Sequence, residues 1–138
     1  MIKEFRGEYY FLSNFFEAPV TWEGITYRNN EAAFQSAKLI DRKSRQQFST
    51  LDPSSAKRLG RRVLLRPDWE TVKFNIMQEI CFAKFTQNPE LRNKLLATGN
   101  KYLEEGNTWG DRIWGTVDGH GQNMLGKILM GVRAKLSV

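Results

Sequence analysis

Cysteine and histidine are almost missing from this chain of 138 residues: each occurs once, as Cys81 and His120. A single cysteine excludes a disulfide framework and any multi-cysteine zinc site. A single histidine confines a histidine-rich metal centre, or a Ser-His-Asp triad, to one position. Long apolar runs are also missing, and none approaches the roughly 20 residues a membrane-spanning helix needs. The first twenty residues carry Lys3, Glu4, Arg6, Glu8 and Glu17, which breaks the apolar core of a secretory signal. The expectation is therefore a soluble, cytoplasmic protein with no membrane partner. Its length fits one domain over residues 1–138, large enough to bury a core without disulfides or metals.

What is present in excess is positive charge. Lys and Arg number 21 against 15 Asp and Glu, a net charge of +6. The surplus is uneven, because Arg42, Lys43, Arg45, Lys57, Arg58, Arg61, Arg62 and Arg66 crowd into a stretch whose only acids are Asp41 and Asp52. Two readings stay open. The stretch can be a solvated face, or it can draw a phosphate-bearing ligand, either a nucleotide or a nucleic acid.

Periodicity orders the elements. Phe5, Tyr9 and Phe11 share one parity and read as a strand. Val20-Thr21-Trp22 and Ile25-Thr26-Tyr27 flank Glu23-Gly24 as a hairpin. The period then becomes helical from Asn30 to about Ile40, with Asn29 or Asn30 as cap. Asp52-Pro53 opens another helix, with Gly60 as its stop. A longer helix runs from about Asp68 to Thr86 and buries Val72, Ile76, Ile80 and Ala83. Asn88-Pro89 restarts a helix that ends at Gly99. Short strands are expected around Tyr102-Leu103 and Ile113-Trp114. The last helix, from about Gln122 to Leu136, buries Leu125, Ile128, Leu129, Val132 and Leu136. Strands first and helices after, with no βαβ alternation, predict an α+β fold, mainly helical with a small antiparallel sheet.

Four groups of residues can carry chemistry. On the first helix Glu31, Gln35 and Lys38 fall at about 0°, 40° and 340°, one narrow polar stripe. Such a stripe is commonly a solvated face. As chemistry it offers a carboxylate, an orienting amide and an amine able to attack an aldehyde-like carbon. That amine must be neutral, which burial favours and a neighbouring Glu31 opposes. Second, Trp109 and Trp114 bracket Asp111 in a glycine-bearing segment. They suit a flat base joined to a sugar, or they are core residues with Asp111 as a cap or a partner of Arg112. Third, Gly119 to Gly126 enters the last helix, where free N–H groups can hold a phosphate or Asn123 can simply cap. Fourth, the aromatic run from Tyr9 to Phe16 encloses Asn14, a polar side chain that needs partners if buried. Cys81 reads as an inert core thiol and His120 as an exposed loop residue.

Phe11-Leu-Ser-Asn-Phe15, Pro19-Val20, Gly24 and Tyr27 are followed by Glu31, Ala33-Phe34-Gln35 and Lys38, then Gly60-Arg61 and Asp68-Trp69. Thr98-Gly99, Leu103, Trp109-Gly110-Asp111, Trp114-Gly115 and Gly121-Gln-Asn-Met-Leu-Gly126 complete the set. In that order, over roughly residues 5 to 133, the chain resembles the YbiA-like N-glycosidases, or NADAR domain. Each motif is weak alone; the ordered set is specific.

The resemblance implies an α+β fold and cleavage of an N-glycosidic bond. One branch of the family hydrolyses ribosylamino-pyrimidine 5′-phosphate intermediates of riboflavin biosynthesis; another removes ADP-ribose from guanine, reversing a DNA modification. Matched by position, the family's glutamate is Glu31, its lysine, able to form a Schiff base with ribose C1, is Lys38, and its aspartate is Asp111. Those three are the expected catalytic residues. Asn14, Phe15, Gln35, Arg61, Trp69, Trp109, Trp114 and Asn123 are the expected substrate-binding residues, with the tryptophans as walls and stacking surfaces and Arg61 on phosphate. The expected ligand is a phosphorylated ribosyl-base small molecule or ADP-ribosylated guanine in nucleic acid, with neither a metal nor an organic cofactor. The alternative is a nucleotide- or nucleic-acid-binding module without chemistry, whose affinity would fall steeply with salt.

Overall fold

A computed structural model describes residues 1–138, and the chain forms two compact units, residues 14–88 and residues 1–13 with 89–138. The fold is α+β and mainly helical, with one two-stranded antiparallel sheet.

In the first unit the hairpin forms where its turn signal lies. Strands β1 (Glu17–Trp22) and β2 (Ile25–Asn29) pair antiparallel, with Trp22 opposite Ile25. Glu23 and Gly24 both have positive φ, 47° and 83°, as a two-residue hairpin turn requires. Alternation does the rest: Ala18, Val20, Trp22, Ile25 and Tyr27 face the core while their neighbours face water.

Helix α1 (Asn30–Ser36) starts at its expected cap, the Asn29 carboxamide accepting from the Ala32 N–H at 2.7 Å. It stops short of Ile40. The N–H groups of Lys38 and Leu39 turn back three residues instead of four, and the carbonyls beyond are claimed from elsewhere. Arg66 donates its backbone N–H to the Lys38 carbonyl at 2.9 Å and its guanidinium to Ala37, while Arg45 Nε donates to Leu39 at 2.8 Å. Ile40, where the helix was expected to end, is consequently 64% exposed.

Helix α2 (Arg42–Gln46) has no apolar period and was not anticipated; Asp41 caps it by accepting from the Ser44 N–H and hydroxyl, each at 2.9 Å. Helix α3 (Pro53–Gly60) begins on Asp52-Pro53 as expected. Helix α4 (Trp69–Gln87) buries Ile76, Met77, Ile80, Cys81 and Phe85. The carboxylate of Asp68 does not cap it, because both oxygens accept from Arg66, at 2.6 and 3.1 Å.

The second unit opens with a 3-10 helix, Gly7–Leu12, where a strand was expected. Gly7, at φ 58°, turns the chain into it. Phe11 and Leu12 are buried while Tyr10 is exposed, so the aromatic spacing was satisfied by a tighter turn. Helices α5 (Pro89–Ala97) and α6 (Met124–Leu136) match expectation, and Gly99 is left-handed at φ 65°. The strands expected near residues 102 and 113 reduce to single bridged pairs, Ile2 with Leu103 and Gly106 with Thr116, and none forms at Ile113-Trp114. Buried Arg133 donates to the Thr98 hydroxyl at 2.9 Å.

Candidate active site

The polar stripe of α1 is not a solvated face. Glu31 and Gln35 are 8% and 7% exposed, and Lys38 is half-buried. Ala32 and Ala33 are fully buried on the same helix, so α1 lies inside its unit and takes its polar side chains inward with it. The Gln35 Nε2 donates to a Glu31 carboxylate oxygen at 2.7 Å. The Lys38 ammonium donates to the Gly60 carbonyl at 3.1 Å.

Those bonds define the electrostatics. Burial pulls the Lys38 amine below the ordinary lysine range; the Glu31 carboxylate opposes this and the Arg61 guanidinium assists it. The competition recognised from the sequence between desolvation and Glu31 is therefore won by desolvation. A lysine that loses its proton more readily is a better nucleophile near neutral pH.

Gly60 was read as a helix stop, yet it is the last residue of α3 rather than a left-handed residue beyond it. Its place has another cause. A Cβ there would overlap the Gln35 Oε1 and approach its Cδ within 2.6 Å. The amide of Gln35 thus occupies the space a side chain would need. Sequence reasoning missed Gly60 as a site residue, although the Gly60-Arg61 pair of the family pattern was the available signal.

Around this centre, Asn14 accepts from the backbone of Glu31 at 3.0 Å through its own carbonyl, and from Asn30 Nδ2 at 3.3 Å through its side chain. Its Nδ2 lies 3.6 Å from the Met77 sulfur. The polar residue in the aromatic run is thus tied to the start of α1. Phe15 is half-buried, with the Lys57 ammonium 5.8 Å from its ring. Trp69 is buried against Phe34, ring centroids 5.1 Å apart and planes at 50°, so it backs α1 as an apolar wall instead of presenting an open face. Arg61 and Arg62 are exposed at the end of α3. Not all of the basic stretch is available to a ligand. Arg45 is buried, paired with Glu23 at 2.6 Å and stacked over Trp22, Arg42 donates to the Gly24 carbonyl, and Arg66 is held by Asp68.

The remaining expected residues belong to the second unit. One oxygen of Asp111 accepts from the backbone N–H groups of Ile113 and Trp114, at 3.0 and 2.9 Å. Asn107 clasps the backbone of Asp111 on both sides, accepting from its N–H and donating to its carbonyl. The carboxylate therefore shapes its loop, and pairing with Arg112 is not what fixes it. Trp109 is 57% exposed and Trp114 half-buried, so neither is a fully buried core residue.

The N–H groups expected to receive a phosphate at the entry to α6 are already used. Gln122, Asn123, Met124 and Leu125 donate to the carbonyls of Arg112, Gly115, Ile113 and Trp114. Asn123 adopts a left-handed backbone, φ 52°, without capping the helix. Its buried carboxamide accepts from the Glu105 N–H and donates to the Leu103 carbonyl, both at 2.9 Å. Asn123 is a tie between two loops. Gly126 is needed beneath it, because a Cβ there would strike the Leu103 carbonyl and the Asn123 amide. His120 is exposed, its backbone bridged to Val117.

Comparisons with known proteins show the family of the chain. The family described as NADAR domain matches residues 2–137. The chain is 39% identical over 130 residues to N-glycosidase YbiA of Escherichia coli K12, spanning 91% of this chain and 81% of that protein. It is 38% identical over 130 residues to a riboflavin biosynthesis protein of Vibrio vulnificus, again 91% of this chain but 35% of that protein. The NMR structure of E. coli YbiA superimposes with a TM-score of 0.84 at 36% identity, covering 99% of this chain and 87% of that one.

Proposed function

Since the chain belongs to the NADAR family and is an N-glycosidase by that kinship, we propose that it hydrolyses a phosphorylated ribosyl-base substrate through the amine of Lys38. The substrate is a ribosylamino-pyrimidine phosphate or an ADP-ribosylated guanine. One observation carries the reading. A half-buried lysine with a lowered pKa, in the turn that follows α1, feels a carboxylate of that helix that an amide holds in place.

In this mechanism the base leaves ribose C1 with the bonding electron pair and takes up a proton. The charge that develops on the sugar is oxocarbenium-like, and the Glu31 carboxylate stabilises it. The lone pair of Lys38 Nζ bonds to C1; loss of an Nζ proton and opening of the C1–ring oxygen bond leave an imine. Water then hydrolyses the imine, returning the amine and releasing the sugar phosphate. Asp111 is the second carboxylate, serving proton transfer or the sugar hydroxyls. Asn14 and Gln35 hold the reacting end of the helix, Trp109 and Trp114 stack on the base, Phe15 and Trp69 give apolar walls, and Arg61 meets phosphate. Asn123 contributes by holding its loops in shape.

The test compares wild type with Lys38→Ala and Glu31→Gln, following free base released from a ribosylamino-pyrimidine phosphate and from ADP-ribosylated guanine as nucleoside and in DNA. Turnover of one substrate that both variants lose supports the reading and identifies the branch. A folded wild type that releases base from neither refutes it, and salt-sensitive DNA binding unaffected by Lys38→Ala would favour a binding module.

A further inference from the structure

The first helix carries an unusual pair of features side by side. The Gln35 Nε2 is spent on Glu31, while the Gln35 Oε1 is buried and accepts no hydrogen bond. A buried acceptor without a donor is costly, and an exposed rotamer would relieve it, so something holds the amide there. What faces it is the bare Cα of Gly60, on which any Cβ would overlap the amide. The same residue accepts from Lys38 Nζ at 3.1 Å through its carbonyl. Gly60 therefore meets two of the three stripe residues at once, one through what it lacks and one through its backbone.

We propose that Gly60 and Gln35 are positioning residues that keep the Glu31 carboxylate apart from the Lys38 amine: Gly60 makes room for the amide, the amide fixes the carboxylate, and the Gly60 carbonyl fixes the amine. The inference rests on the glycosidase reading for its purpose, because only a nucleophilic lysine gains from the separation. Its physical content is independent of turnover. Glu31 lies in the first turn of α1 and Lys38 in the turn that follows its end at Ser36, close enough for the carboxylate to raise the pKa of the amine. A carboxylate that loses the bond from this amide has Lys38 as a cation to turn toward, and a close ion pair raises an amine's pKa by about one unit or more.

The experiment reads Lys38 directly. Wild type, Gln35→Ala, Gly60→Ala and the double variant are labelled with trace acetic anhydride across pH 6–11, and acetylation of the Lys38 peptide is quantified by mass spectrometry. Thermal unfolding is measured in parallel. Gln35→Ala, which leaves Gly60 intact, is expected to raise the half-titration pH of Lys38 by about one unit, or about tenfold less labelling at neutral pH. Gly60→Ala is expected to do the same and also to lower the melting temperature, through the overlap. In the double variant the overlap is gone, so melting returns to that of Gln35→Ala while the titration stays raised.

A purely structural role for Gly60 predicts instead that the double variant regains wild-type titration, and that outcome overturns the proposal. So does an unchanged titration in Gln35→Ala, which decides the matter even where Gly60→Ala does not fold. Loss of the glycosidase reading would appear elsewhere, as absence of base release and absence of a borohydride-reducible adduct of Lys38 with ribose 5-phosphate in the wild type. The labelling result stands in either case.

Discussion

Lys84 is the most deeply buried cation of the chain, 1% exposed on α4, with its ammonium 5.6 and 5.1 Å from the rings of Phe16 and Phe85. Burial pulls its pKa down to about 8 from 10.5, against a smaller opposing influence of Cys81. The sign follows from proton counting. Between pH 8 and 10.5 the unfolded chain holds a proton on Lys84 that the folded chain has released, so stability rises with pH across that window. Below pH 8 both states are protonated and the full penalty of the buried charge is present; above 10.5 it is gone. The shift is about 2.5 units, which at about 1.4 kcal/mol per unit makes the penalty about 3 kcal/mol. Lys84→Met keeps the length of the side chain and removes the titration. Urea unfolding followed by tryptophan fluorescence at pH 7 and pH 10.5 should show wild type gaining about 3 kcal/mol on Lys84→Met between the two. Parallel pH profiles for the two proteins would refute this account of Lys84, and a wild type that gains on the variant toward low pH would reverse its sign.

Arg61→Gln removes a cation that helps hold the Lys38 pKa down, so the rise of base release with pH should move to higher pH in this variant; movement toward lower pH would contradict the assignment. Asn123→Ala leaves the Glu105 N–H and the Leu103 carbonyl without their partner, and at about 1–3 kcal/mol for each orphaned group should cost about 2–6 kcal/mol in urea unfolding. Asp111→Asn retains an oxygen for the Ile113 and Trp114 N–H groups, so its stability should match wild type within about 1 kcal/mol while base release falls; Asp111→Ala should lose both. Trp109→Ala removes an exposed ring, and unfolding should shift by less than about 0.5 kcal/mol while the KM for substrate rises.

The pieces of the fold that could be read in advance are those whose causes lie within a few residues. The hairpin needed Glu23-Gly24 between alternating strands, α1 needed Asn29 as cap, and α3 needed Asp52-Pro53. The places where reading failed have partners far along the chain. Nothing between residues 30 and 40 announces that Arg45 and Arg66 will take the carbonyls of residues 37–39, just beyond the end of α1 at Ser36. The aromatic spacing of residues 5 to 11 fits a strand and a 3-10 turn alike, and only burial of Phe11 and Leu12 together distinguishes them. Equally, the glycines before α6 suggested open N–H groups, and the loop at residues 112–115 had already filled them.

For the site the division is sharper. The residue types and their spacing were enough to place a carboxylate and an amide on one face of a helix, because helical geometry is local, while the expected amine of Lys38 falls in the turn just after it. Family kinship is likewise written in the ordered motifs along the chain. Whether that face met water or protein was settled only by folding. Desolvation is a sum over neighbours that the chain brings in from beyond the helix, Gly60 of α3 among them, and it is this burial that lowers the Lys38 pKa against the pull of Glu31. The same holds for Gly60: its sequence position suits a helix end, but what forbids a side chain there is the amide of Gln35, twenty-five residues earlier in the chain.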